Sequence, residues 1–184
     1  MPIPTNRFKG LQHIAIKVSD IETSLDFYLN VLGFTVSERH EPGDHPIFKS
    51  GLCFLRCGPL HHDLNLVFFP EIEKEKLDKI PKVDHGSTVD LGVHHFAFQV
   101  DNLQEFRKWE KWITENNIDF VRGPVVHSPT HPEGDGTWGE NRAMYFCDPD
   151  GHRIEIFCDM AELDVKTNTI NKSWNKARLK REGF

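Results

Sequence analysis

Two histidines stand at equivalent positions of an internal repeat. The segment Leu11–Val18 (LQHIAIKV) recurs as Val93–Val100 (VHHFAFQV), and this alignment places His13 opposite His95. Side chains alternate between the two faces of a strand, so both histidines point away from the face with the bulkier apolar residues. We expect that apolar face to pack under helices. By the same parity His94 falls on the helix-covered face and is a poor metal ligand.

A carboxylate completes a set of three possible ligands. The second copy closes on Arg153–Phe157, where Glu155 alternates with isoleucines and shares the histidine face, while the corresponding place in the first copy is Asn65. Two imidazoles and one carboxylate leave adjacent coordination positions open on a ferrous ion. A structural zinc site would close with four ligands. We therefore predict that His13, His95 and Glu155 hold a catalytic metal.

The elements that must position these residues follow the order β-α-β-β-β in each copy. Capping boxes at Ser19 and Asp101 predict helices that end near Leu32 and Asn117. Strands are expected at Leu11–Val18, Phe34–Arg39, Ile47–Arg56 and Leu64–Phe69 in the first copy, and at Val93–Val100, Ile118–Val121, Ala143–Cys147 and Ile154–Cys158 in the second. The fold class is therefore α+β, with two tandem βαβββ modules.

The chain divides accordingly into modules at residues 8–70 and 91–158, joined by a polar connector at 71–90 with room for one short helix. The stretch from Gly123 to Arg142 is predicted to be a long loop; loops of this length are usually functional or disordered, and a lid is one option. Residues 159–184 form a basic tail or helix. It is either a solvated segment with a docking tryptophan, or an oligomer contact or flap over the site.

Composition narrows the possible partners. The 184 residues can bury a substantial core, and a net charge of -6 without a basic stripe argues against nucleic-acid binding. No apolar run approaches the roughly 20 residues that span a membrane, and the first residues lack the apolar core of a signal peptide. The four cysteines form no Cys-x-x-Cys pair and read as buried thiols of a reducing compartment. We expect a cytoplasmic protein that acts on small molecules.

With its repeat and its three ligand candidates, the chain resembles the vicinal oxygen chelate superfamily over about residues 8 to 158. The resemblance implies paired modules that form a curved mixed sheet around a metal-containing cleft. The superfamily includes glyoxalase I, fosfomycin-resistance enzymes, methylmalonyl-CoA epimerase and extradiol dioxygenases, and the fold alone does not choose among them. Asn65 stands where glyoxalase I usually has a fourth ligand, which favours the three-ligand branches.

Further matches are similar to the extradiol branch. Leu60–Leu64 (LHHDL) resembles its His-Asp segment, which implies that His62 assists proton transfer. Tyr145, ten residues before Glu155, matches the tyrosine that hydrogen-bonds the substrate oxygen.

Arg122–His127 (RGPVVH) resembles the branch's Arg-Gly-Pro-Gly-Arg-His segment, which implies that His127 is another catalytic histidine near the metal. The loop after it is longer than the family's, so His131 is an alternative for this role. Arg122 is the candidate to bind a substrate carboxylate.

The resemblance thus implies an Fe2+-dependent extradiol dioxygenase that cleaves a catechol with O2. His62, Tyr145 and His127 would be its catalytic side chains. Mn2+, Ni2+ and Zn2+ stay open as alternative metals. Two other functions also stay open: a non-oxidative lyase, isomerase or transferase of the glyoxalase or fosfomycin-resistance type, and a small-ligand binding protein. We further expect a homo-oligomer.

Overall fold

The fold comes from a computed structural model that describes residues 10–44, 46–47, 49–70, 75–76, 79, 92–164 and 166–184. Contacts divide the chain into two units, Met1–Lys82 and Val83–Phe184, and each is described by itself. Most of the predicted connector at 71–90 lies outside the described residues.

The first unit contains one four-stranded mixed sheet. Its strands are β1 (Ile14–Lys17), β2 (Thr35–His40), β3 (Gly51–Arg56) and β4 (Leu64–Phe68). They lie in the order β1-β4-β3-β2, with β1 parallel to β4 and the other pairs antiparallel. The closing strand is fully buried at Leu64 and Leu66, which anchors the sheet to its core.

One helix follows β1. It is α1 (Ile21–Asp26), and it continues as a π-helical turn at Phe27–Val31. The residue that caps α1 is Asp20, one position after the predicted Ser19: its Oδ1 accepts a hydrogen bond from the Thr23 N–H at 2.8 Å.

The second unit repeats this arrangement. Its strands are β5 (Phe96–Gln99), β6 (Arg122–His127), β7 (Asn141–Cys147) and β8 (Arg153–Cys158), and its first helix is α2 (Leu103–Glu115). The order is β5-β8-β7-β6, again with the first and last strands parallel. Asn102 caps α2 by accepting from the Gln104 and Glu105 N–H groups, one position after the predicted Asp101.

Equivalent registers relate the two sheets. Ala15 lies opposite Asn65 in the first unit, and Ala97 lies opposite Glu155 in the second. The predicted α+β class and the two βαβββ modules are therefore confirmed.

One predicted strand is wrong. Residues 118–121 do not form a strand, and the strand begins instead at Arg122, just before the stretch that was predicted as a loop. Because β6 is an edge strand with a register shift between Arg122 and Val125, it tolerates Gly123 and Pro124. Gly123 has φ +87°, and a Cβ there would lie 2.7 Å from the Ala143 carbonyl oxygen.

The C-terminal segment is folded onto the second unit. A short hairpin of β9 (Leu163–Asp164) and β10 (Thr169–Ile170) precedes α3 (Lys172–Glu182).

Within the described part of the chain, no helix is long and apolar enough to cross a membrane.

Candidate active site

Glu155 is the buried centre of the site in the second unit. It lies on β8, is 5% exposed, and faces His95, whose Nε2 is 3.0 Å from its Oε2. Its other oxygen accepts a hydrogen bond from Asn141 Nδ2 at 2.9 Å. Asn141 therefore fixes the carboxylate and leaves one oxygen and the His95 nitrogen converging on the same space.

Tyr145 lies beside this pair. Its Oη is 3.0 Å from His127 Nε2, and it also hydrogen-bonds Glu155. Burial and then the negative charge of Glu155 raise the pKa of Tyr145 to about 12. The phenol consequently stays protonated at neutral pH and acts as a hydrogen-bond donor.

Asp135 supports His127 from the opposite side of the ring. His127 Nδ1 is 3.1 Å from Asp135 Oδ2 and 2.9 Å from Thr137 Oγ1, whose own hydroxyl donates to Asp135 Oδ1. Both neighbours accept, so Nδ1 of His127 carries a proton, and Nε2 faces the Tyr145 hydroxyl. Burial favours the neutral form of Asp135, but hydrogen bonds from Thr137 and the charge of His127 outweigh it and hold the pKa of Asp135 well below its ordinary value.

Arg122, the predicted substrate-binding residue, also contacts Asp135. Its Nη2 lies 2.8 Å from Asp135 Oδ2. The guanidinium therefore has an internal counter-ion, which sets it apart from the second arginine at the site, Arg153. The assignment of Arg122 to the substrate stays a prediction.

These side chains open onto a cavity of about 540 Å3 within the second unit. Trp138, Phe157 and Met160 give it an apolar wall, and Trp138 is 87% exposed. His94 also lines the cavity. The expectation that His94 lies under a helix is wrong because β5 begins only at Phe96, so strand parity does not apply to it.

In the first unit, His13 directly precedes β1 and is oriented by its neighbour. Its Nδ1 is 2.5 Å from Gln12 Oε1, and Gln12 Nε2 in turn donates to the His62 carbonyl. An Nδ1–H that donates to Gln12 leaves the His13 Nε2 lone pair available, as in histidines that bind metals. The His62 ring lies 4.6 Å from that of His13.

His62 precedes β4 at the irregular strand entrance that its predicted role requires. Burial, and then the nearby rings of His13 and His61, lower its pKa. The adjacent Asp63 accepts hydrogen bonds from the Cys57 and Gly58 N–H groups at 2.9 and 3.1 Å.

His131, the alternative to His127, lies in a different cluster. Its side chain is 1% exposed and faces Glu182 of α3 at 3.2 Å. Glu182 accepts from Arg142 Nη2 at 2.7 Å and from Arg178 Nε at 2.8 Å, and Arg142 also pairs with Glu133. The carboxylates are neutralised by guanidinium groups, so this cluster is an ion-pair network that fastens α3 to the loop after β6. We call it the tail network.

The converging donors fit a divalent metal. A buried carboxylate oxygen held by an amide and an imidazole nitrogen 3.0 Å away are a mixed N,O set of the kind that Mn2+, Fe2+, Ni2+ and Zn2+ accept. His13, the third predicted ligand, belongs to the first unit, and its role stays a prediction.

Three site residues were missed in the sequence. Asn141 has the parity of Tyr145 on β7, and Arg153 has the parity of Glu155 on β8, so alternation along the strands contained the signal for both. Asp135 reaches His127 through the loop after β6, and its position has no periodic signal.

Known proteins resemble the chain along most of its length. The sequence profile of the Glyoxalase/Bleomycin resistance protein/Dioxygenase superfamily matches residues 10–156. Metallothiol transferase FosB of Staphylococcus epidermidis is 27% identical over 147 residues, 80% of either chain. Glyoxylase I 4 of Arabidopsis thaliana is 25% identical and covers 92% of this chain and 83% of its own.

A solved structure shares the fold. It is a mutant of the fosfomycin resistance protein FosX of Listeria monocytogenes, in complex with Mn(II) and 1S,2S-dihydroxypropylphosphonic acid. The identity is 17%, the TM-score is 0.50, and the match covers 82% of this chain and 92% of that one.

These relatives correct the predicted activity. The expectation of an extradiol dioxygenase acting on a catechol with O2 is wrong, because several similar curated proteins are metallothiol transferases. The short segments around His62, Tyr145 and His127 therefore do not identify the reaction within a shared fold. The broader identification stands on the fold, the repeat and the profile match: the chain belongs to the Glyoxalase/Bleomycin resistance protein/Dioxygenase superfamily.

Proposed function

We propose that the protein is a metal-dependent, non-oxidative enzyme that transfers a thiol to a small electrophilic substrate. The observation that carries the proposal is the His95–Glu155 pair at 3.0 Å beside a protonated Tyr145. The similarity of the chain to metallothiol transferases supports the choice of reaction.

His13, His95 and Glu155 would hold the metal, with Mn2+, Ni2+ and Zn2+ as the candidate ions. A bound divalent ion supplies Lewis acidity, which polarises an oxygen of the substrate. Mn(II) in the FosX complex makes Mn2+ the first ion to test.

The remaining roles fall to side chains of this chain. With an epoxide as substrate, the thiolate sulfur bonds to a ring carbon while the C–O bond of that carbon breaks. Tyr145 donates a hydrogen bond to the oxygen that gains the negative charge, and this oxygen then takes up a proton from solvent in place of the one that the thiol released. His127, oriented by Asp135, holds the Tyr145 hydroxyl in place. His62 stays our prediction for proton transfer.

The test is thiol consumption by protein loaded separately with Mn2+, Ni2+ and Zn2+. The thiols would be cysteine and glutathione, and the acceptors would be epoxides with and without a phosphonate or carboxylate group. We expect metal-dependent loss of thiol and of epoxide in equal amounts, without O2 uptake. Glu155→Gln should abolish it, whereas Glu115→Gln, an exposed change on α2, should not. Equal activity of Glu155→Gln and wild type would contradict the proposal.

A second candidate is an isomerase or lyase of the glyoxalase type. The Arabidopsis relative favours it, since the similarity extends over 92% of this chain. In an assay with methylglyoxal and glutathione, such an enzyme would convert the adduct without net consumption of thiol once the product is hydrolysed. Cytoplasmic location and homo-oligomerisation stay predictions.

A further inference from the structure

Arg153 is a guanidinium at the cavity that has no counter-ion in the part of the chain that the structure describes. Among the residues that the structure describes, no carboxylate pairs with it, and its buried Nε has no hydrogen-bond partner. The Nη1 of Arg153 donates a hydrogen bond to His94 Nε2 at 3.3 Å. Four other arginines of this unit, by contrast, have carboxylate partners: Arg122, Arg142, Arg178 and Arg181.

The position of Arg153 is fixed by its neighbours. It lies on β8 two residues before Glu155, and strand alternation directs both side chains to the cavity face. Its guanidinium carbon stacks 4.9 Å from the centre of the Tyr145 ring. A planar cation held against a ring loses little further freedom when it binds a ligand.

The described carboxylates around the cavity leave the charge of Arg153 uncompensated. Arg122 is neutralised by Asp135 at 2.8 Å, and Glu155 is engaged by Asn141 and His95. A divalent ion beside Glu155 would add further positive charge. An anionic group on the bound molecule would balance it, and the Trp138 side of the cavity would contact an apolar body.

We propose that Arg153 binds an anionic group with two or more oxygens, a carboxylate or phosphonate, on a small substrate with an apolar portion. The inference rests on the proposed function in placing the reaction in this cavity. It assigns substrate recognition to Arg153, which differs from the earlier assignment to Arg122. A guanidinium fork matches such groups through two parallel N–H donors.

Binding to metal-free protein tests this separately from catalysis. Phenylacetate, phenylphosphonate and the neutral phenylacetamide would be titrated into wild type and followed by calorimetry. We expect either anion, or both, to bind roughly 10- to 100-fold more tightly than the amide, as for a charge-assisted hydrogen-bond pair. The two anions separate carboxylate from phosphonate recognition.

Variants then assign the effect to Arg153. We expect Arg153→Gln to weaken anion binding by roughly 10- to 100-fold and to leave the amide unchanged. Arg153→Lys should give an intermediate loss, because it keeps the charge without the fork. Arg107→Gln, on an exposed part of α2, is the matched control and should bind as wild type does.

Two outcomes would overturn the proposal: an amide that binds wild type as tightly as the anions do, or Arg153→Gln that binds the anions normally. The first comparison uses the wild-type chain and does not depend on the folding of a variant. If the protein binds anions through Arg153 but shows no thiol transfer, the result would contradict the proposed function and would still support this inference.

Discussion

Replacing Glu182 by glutamine tests how α3 is held. Its carboxylate is 3% exposed and accepts from Arg142 at 2.7 Å and from Arg178 at 2.8 Å. Arg178 is itself fully buried. Glu182→Gln keeps the size of the side chain and removes the negative charge between the two cations.

The expected loss is large because the remaining charges stay buried. Removing one partner of a buried ion pair costs about 3–5 kcal/mol. Glutamine retains one acceptor oxygen, so we expect the lower end, about 3 kcal/mol. For a chain of 184 residues this corresponds to a fall in Tm of about 6–12 °C.

The pH dependence has a definite sign. Burial raises the pKa of Glu182, but hydrogen bonds from Arg142 and Arg178 outweigh it, and the net pKa is lowered. A depressed carboxyl pKa stabilises the folded chain at pH above the unfolded pKa, and this stabilisation is lost as pH falls through the folded pKa. The gap between wild type and Glu182→Gln should therefore be largest near neutral pH and shrink in acid.

Thermal unfolding of the full chain, followed by circular dichroism from neutral to acidic pH, measures both effects. Glu115→Gln is the matched control: Glu115 pairs with Lys111 across 3.5 Å on α2, but it is 57% exposed, so its loss should cost about 0–1 kcal/mol. The double change Glu182→Leu with Arg178→Leu removes both charges and should be milder than Glu182→Gln. Equal Tm values for Glu182→Gln and Glu115→Gln at neutral pH would refute the reasoning.

Three further changes probe the active site. Glu155→Gln should lose bound Mn2+ by elemental analysis while keeping its circular dichroism spectrum; full metal content would remove Glu155 from the ligand set. Tyr145→Phe should bind metal normally and lower kcat by about 10- to 1000-fold through loss of one donor, and wild type should show no basic limb at the ordinary tyrosine pKa of 10.0, since this pKa is raised to about 12. Asp135→Asn should shift the imidazole 15N resonances of His127 and lower kcat more than it raises KM, unlike the exposed control Asp119→Asn; unchanged resonances would argue against the Asp135 contact.

The repeat predicted the sheets well because both modules follow the same rule of burial. Alternation placed Glu155 on the cavity face, and the parallel pairs Ala15 with Asn65 and Ala97 with Glu155 confirm that the modules correspond. The boundaries of the helices were predicted less accurately than their existence. Each helix cap lies one residue later than predicted, since neighbouring polar side chains compete for the same backbone donors.

The site was predicted less completely than the fold. His127 and Tyr145 were found from local segments, but their contact with Asp135 depends on how the loop after β6 returns to the sheet. Arg153 was not predicted because its role depends on the absence of a carboxylate partner among the described residues, which a linear pattern does not show. The reaction itself was misassigned because short segments around His62 and Tyr145 do not specify the chemistry of a shared fold.

The parallel pairing of first and last strands has a consequence for folding. Ile14 pairs with Leu64, and Phe96 pairs with Ile154, so each sheet closes only when its final strand arrives. Contacts between such distant segments require loop closure and form slowly compared with local hairpins. During synthesis, β8 emerges long after His95, so the His95–Glu155 pair is among the last features of its module to form. Metal capture by this pair would thus report closure of the second sheet.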